Sequence, residues 1–130
     1  MKKVLFWGRY GNYGPDYPRN RVVESVMREL GCDVSRFLPL LSPLADIEYA
    51  VRGGVQPDVI WVPCFRQRDL PAAARYARRH GIPLVFDPLI SAYDKQVSER
   101  QKFPADSAKA RRLLAWESRL FNLPDFLVAD

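Results

Sequence analysis

The chain has 130 residues, 48% of them hydrophobic and 27% charged, with a net charge of +5. This is enough apolar material for one domain with a real core. No run approaches the eighteen or so apolar residues that a helical membrane span needs. The apolar run behind Met1-Lys2-Lys3, Val4 to Trp7, is too short for a signal peptide, so the chain reads as cytoplasmic.

Lys3 to Trp7 is a short apolar run ending at Gly8 and predicts a buried strand. A loop follows, GRYGNYGPDYPRNR, with glycines at 8, 11 and 14. Pro18 suits the first turn of a helix, and Val22, Val23, Val26, Met27 and Leu30 recur at helical spacing until Gly31. Cys32 to Phe37 reads as a second strand. Ser42 to Arg52 predicts a short helix with Ile47, Ala50 and Val51 on its apolar face, closed by Gly53-Gly54.

Asp58 to Cys64, DVIWVPC, is a third strand, apolar almost throughout as in a sheet covered on both faces. Leu70 to His80 is a helix stopped by Gly81, with His80 as a cation at its C-terminus. Pro83 to Phe86 is a fourth strand and runs into Asp87-Pro88. Residues 88 to 105 form a long connection without periodicity. Ser107 to Phe121 predicts a helix with Leu113, Leu114, Leu120 and Phe121 inward, and Phe126 to Ala129 a fifth strand.

Regular alternation of strand and helix implies a Rossmann-like, three-layer α/β/α domain with a parallel sheet of about five strands, spanning residues 1–130. In a sheet of order 3-2-1-4-5, ligands bind where the first and fourth strands end. That order makes the loops 8–21 and 87–102 neighbours.

Glycines in the first loop permit close approach of a ligand, and the following helix aims its N–H groups and positive dipole end into the crevice. The glycine spacing is neither GxGxxG nor a P-loop. Arg19 and Arg21 oppose the helix dipole by about 0.3–1 kcal/mol each, which a bound anion between them would offset. The alternative is pairing of Arg21 with Glu24 and of Arg19 with Asp16. Asp87 leaves the fourth strand at the crevice, where a carboxylate can act as general base on a hydroxyl. It is otherwise a turn residue before Pro88.

From 95 to 112, the cations Lys95, Arg100, Lys102, Lys109, Arg111 and Arg112 face only Glu99 and Asp106. Such a run suits an anionic lipid surface or a pyrophosphate, and equally a solvated face. Cys32 and Cys64 are isolated and read as buried free thiols. With His80 as the one histidine, a protein metal site is not expected.

Three stretches carry a resemblance: YPRNRVVESVMRELGCDV behind the glycine loop, PLVFDPLISAYDKQVSERQK, and LLAWESRLFNLPDFLVAD. Together they resemble the N-terminal domain of retaining GT-B glycosyltransferases of family 4 (group 1-like), the second stretch being similar to a bacterial subgroup acting on cell-surface polysaccharides. The resemblance implies that this half holds a glycan or lipid-linked acceptor. A C-terminal donor-binding domain, absent from these 130 residues, would hold the nucleotide sugar, and the chain alone would be inactive. No cofactor, metal or nucleic acid is implied, and a peripheral contact with the inner face of the membrane is expected.

The candidate site is therefore Asp87 as the catalytic carboxylate, with Gly8, Gly11, Tyr13, Gly14, Arg19, Arg21, Ser91, Tyr93 and Asp94 binding acceptor or phosphate. Two alternatives remain beside it. One is a freestanding α/β module that binds a nucleotide or a protein without catalysis. The other is nucleic-acid binding through 95–112, which lacks the interleaved aromatics that stack on bases.

Overall fold

The computed structural model describes residues 2–8, 18–63, 66–87, 104 and 107–128. Its elements are β1 (Lys3–Trp7), α1 (Pro18–Glu29), β2 (Asp33–Phe37), α2 (Ala45–Val51), β3 (Val59–Val62), α3 (Leu70–His80), β4 (Leu84–Phe86), α4 (Ala108–Phe121) and β5 (Phe126–Leu127). Short 3-10 turns at Ser42–Leu44 and Gln67–Asp69 lead into α2 and α3. All strand pairs are parallel, in one sheet, and the fold is Rossmann-like α/β.

The sheet order is β2-β1-β3-β4-β5, not the 3-2-1-4-5 arrangement expected from the sequence. The third strand lies beside the first, so β1 and β4 are separated by β3. The reason is polarity. β2, DVSRF, exposes Asp33, Ser35 and Arg36 and tolerates a sheet edge, whereas β3, VIWV, has no polar side chain to give to water. The order 3-2-1-4-5 would have buried the polar strand and left the apolar one at the rim.

Two cores flank the sheet. Leu5 and Trp7 of β1, Ile60 and Val62 of β3, and Leu84 and Phe86 of β4 meet α2, α3 and Leu120 of α4 on one face. Val4, Phe6 and Val34 meet Val23 and Met27 of α1 on the other. Successive strand residues therefore alternate between layers, as the period of two requires. The larger core holds an aromatic cluster in which Trp7 packs on Phe37, Tyr49 and Tyr76 at centroid distances of 4.8, 5.5 and 5.5 Å.

Several helical faces differ from expectation. In α2 the residues turned inward are Ala45, Asp46 and Tyr49, while Ile47, Ala50 and Val51 are exposed. Tyr49 decides this: its ring fills the aromatic cluster and its hydroxyl donates to Val55 O at 2.6 Å. Asp46 follows it inward because Arg75 of α3 meets its carboxylate at 3.0 Å. In α1, Val23 and Met27 pack on the sheet, but Val22 and Val26 are exposed, as is Leu30 just after the helix. The buried polar residues Asn20 and Glu24 take their place. In α4, Leu120 is buried and Phe121 packs against the core, whereas Leu114 is exposed.

The caps agree with the sequence. Gly81 ends α3 in the left-handed conformation at φ 64°, and Ser107 accepts from the Ala110 amide at 3.1 Å at the start of α4. Cys32 is a free, half-buried thiol, and Cys64 lies outside the described residues. Among the described residues, no helix is long and apolar enough to cross a membrane.

Candidate functional site at the carboxyl edge of the sheet

Register brings three strand ends level. Val4 pairs with Val59 and Ile60 with Leu84, so the same offsets carried forward place Gly8, Pro63 and Asp87 in one row. Direct contacts agree. A Cβ on Gly8 would lie 3.3 Å from the Pro63 ring, and the Asp87 amide donates to Val62 O at 3.1 Å. The chain reverses direction between β1 and β3, so this row sits at the topological switch point, where open α/β sheets bind ligands.

Two arginine–aspartate pairs stand on this edge. Arg19 Nε of α1 donates to Asp87 Oδ2 at 2.8 Å. Asp87 has no solvent exposure, and its Oδ1 has no hydrogen-bond partner among the described residues. A buried carboxylate oxygen left without a donor costs about 1–3 kcal/mol. The second pair is Arg66 Nε with Asp69 Oδ2 at 2.6 Å, with Asp69 also fully buried. The Arg66 stem lies over Gly8, with Cγ 3.0 Å from where a Cβ would stand. A side chain at position 8 would thus press on the Arg66 stem, which must give way by a few tenths of an ångström.

Of the residues expected from sequence, Arg19 and Asp87 are brought into contact across the end of β3. Gly8 lies in the same row. Arg21 does not join them: two residues along a helix turn it about 200° away, and it lines a shallow groove with Val22, Ser25 and Val26. An anion held between Arg19 and Arg21 is therefore not the arrangement found. Nor does Arg21 pair with Glu24, which is engaged by Arg28 at 2.9 Å and Arg36 at 2.6 Å. The cost of a cation in the first turn of α1 is offset by Asp87. Gly11, Tyr13, Gly14, Asp16, Ser91, Tyr93 and Asp94 lie outside the described residues, as does most of the basic stretch 95–106.

Sequence reasoning missed Arg66 and Asp69. The signal was present as R-x-x-D directly before an alanine-rich helix, but it acquires meaning only once β3 is placed beside β1. A separate cavity of about 550 Å³ opens at the amino end of the strands, between the ends of α3 and α4. Its one carboxylate, Asp125, already accepts from the Leu84 amide at 2.8 Å, and it lies away from both arginine–aspartate pairs. Among the described residues, no three histidine, cysteine, aspartate or glutamate side chains converge as a metal site.

A scan against protein-family models finds no match to the chain, and a search of curated proteins finds none either.

Proposed function

We propose that the chain is the acceptor-side domain of a GT-B glycosyltransferase that moves a sugar from a nucleotide-sugar donor to a glycan or lipid-linked acceptor in cell-surface polysaccharide synthesis. The observation that carries this reading is the half-satisfied carboxylate of Asp87 at the switch-point edge, one oxygen fixed by Arg19 and the other without a partner among the described residues. The resemblance of residues 17–34, 83–102 and 113–130 to that family supports it.

On this reading Arg19 orients the carboxylate, and Asp87 Oδ1 accepts a hydrogen bond from an acceptor hydroxyl. As the hydroxyl oxygen bonds to the anomeric carbon on the face from which the nucleoside diphosphate departs, its proton passes to Asp87 and the bond to that leaving group breaks, so configuration is retained. On this reading a second α/β half holds the donor. Asp87 is fully buried, so an acceptor reaches Oδ1 only if the crevice opens. The protein works in the cytoplasm, with the basic stretch 95–112 against the inner face of the membrane.

The test is an amide-resolved NMR titration with short glycans and prenyl-phosphate-linked sugars. Saturable shifts at Gly8, Arg19 and Asp87 that Asp87→Asn weakens at least tenfold support the reading. A panel that leaves those three amides unmoved sinks it.

A further inference from the structure

Five aliphatic side chains on one side of the molecule stand in water. Leu40 is 66% exposed, Leu41 61%, Leu44 52%, Ile47 54% and Val51 80%. They form one surface. Leu44, Ile47 and Val51 follow one another at helical spacing through the turn into α2. The amides of Leu40 and Leu41 both donate to Glu48 Oε1, at 2.8 and 3.4 Å. That contact binds the two leucines to the row in which Glu48 lies between Leu44 and Val51.

These exposures amount to about 500 Å² of apolar surface, near the upper end of what a monomer shows. A standard interface buries about 800 Å² per partner, about 65% of it apolar in homodimers, which requires about 500 Å². The patch matches that requirement.

Charge narrows the occupant. Residues 38–55 contain no lysine and a single arginine, Arg52, which pairs with Glu48 at 3.2 Å. Asp46 is turned inward to Arg75. The surface thus offers no free cation to an anionic membrane. It also leaves no unpaired charge to be stranded when covered by another apolar face. A two-fold contact sets such a patch against its own copy, with no complementary charge pattern needed. The location permits this, because β2 is the outermost strand and the patch continues directly from it.

We infer that the chain forms a two-fold homodimer through Leu40, Leu41, Leu44, Ile47 and Val51. This is independent of the sugar-transfer reading and survives if that reading fails.

Sedimentation velocity of the full 130-residue chain, from low to high micromolar concentration, tests it. The expected result is a mass rising from 15.0 kDa to twice that value. Leu44→Glu/Val51→Glu should weaken association at least tenfold, with an unchanged melting temperature at low micromolar concentration, where the wild type is monomeric. Leu30→Glu, at an exposed leucine just after α1, should leave it intact. Should the double glutamate variant fail to fold, Leu41→Gln/Ile47→Gln reads the same interface. A mass that stays at 15.0 kDa overturns the proposal, as does a dimer indifferent to both patch variants. Binding of the wild-type monomer to phosphatidylcholine vesicles, lost in the patch variants, would also overturn it and make lipid the occupant.

Discussion

Arg19 and Asp87 are 68 residues apart in sequence, yet Nε lies 2.8 Å from Oδ2, so α1 is tied to a strand two positions from the one it follows. The pair has unequal members: the Arg19 side chain is one-quarter exposed, while that of Asp87 is almost wholly buried. Removing the exposed member should therefore do the greater harm, because it strands a charge in the interior.

Arg19→Ala is expected to lower stability by about 2–3 kcal/mol, and Asp87→Asn, which keeps a hydrogen-bond acceptor for Arg19, by about 1 kcal/mol. The double variant should be less damaged than the sum, by at least about 1 kcal/mol. Urea unfolding of the four proteins closes the cycle. Additive losses would show that the two side chains act separately. In that case the pair would not be what orients Asp87.

Gly8 and Gly54 make a second, contrasting prediction. A Cβ on Gly8 meets the Arg66 stem at 3.0 Å, and that stem is the flexible part of a partly exposed side chain. A Cβ on Gly54 would overlap the Tyr49 ring, which is fixed by Trp7, Phe37, Tyr76 and the hydroxyl bond to Val55. Gly8→Ala should cost at most about 1 kcal/mol and Gly54→Ala about 2–3 kcal/mol. Thermal melting of the two variants gives the order directly. A reversed order would mean that the Arg66 stem is held more rigidly than the aromatic cluster.

Strand positions were legible in the sequence because apolar runs such as VLFW and VIWV announce themselves by length and by the glycines or prolines that bound them. Sheet order was misread as 3-2-1-4-5, because its signal is quieter: the polarity of Asp33, Ser35 and Arg36 against the unbroken apolarity of Val59 to Val62. Helical faces were not legible. Periodicity ranks Ile47 and Val51 with Tyr49, and only the space beside Trp7 and Phe37 distinguishes them. For the site, Asp87 and Gly8 could be found because strand ends locate them. The Arg66–Asp69 pair could not, because its value depends on which strand lies beside β1.

That difference of face can be measured. Ile47→Gln, measured at a concentration where the chain is monomeric, replaces an exposed aliphatic side chain and should change stability by less than about 0.5 kcal/mol. Tyr49→Ala empties the middle of the aromatic cluster and should cost about 3–5 kcal/mol. Equal losses in urea unfolding would restore the face expected from periodicity.

Acid should loosen the molecule at two joints. Burial pushes the Glu24 carboxyl up, but hydrogen bonds and charge from Arg36 and Arg28 outweigh it and hold the group below its ordinary value. The Arg75 hydrogen bonds, acting against burial, hold Asp46 down likewise. Both groups bind protons more readily in the unfolded chain, so each contributes stability that is fully present above its unfolded value, 4.5 for Glu24 and 3.8 for Asp46. That stability is lost as pH falls through the lowered folded values. The urea midpoint should be insensitive to these groups at neutral pH and should fall from about pH 5 downward. Glu24→Gln should flatten the acid limb because it removes a proton acceptor that the unfolded state uses first. An acid limb unchanged in Glu24→Gln would mean that Glu24 does not couple α1 to β2, and that the arginines around it are held by other contacts.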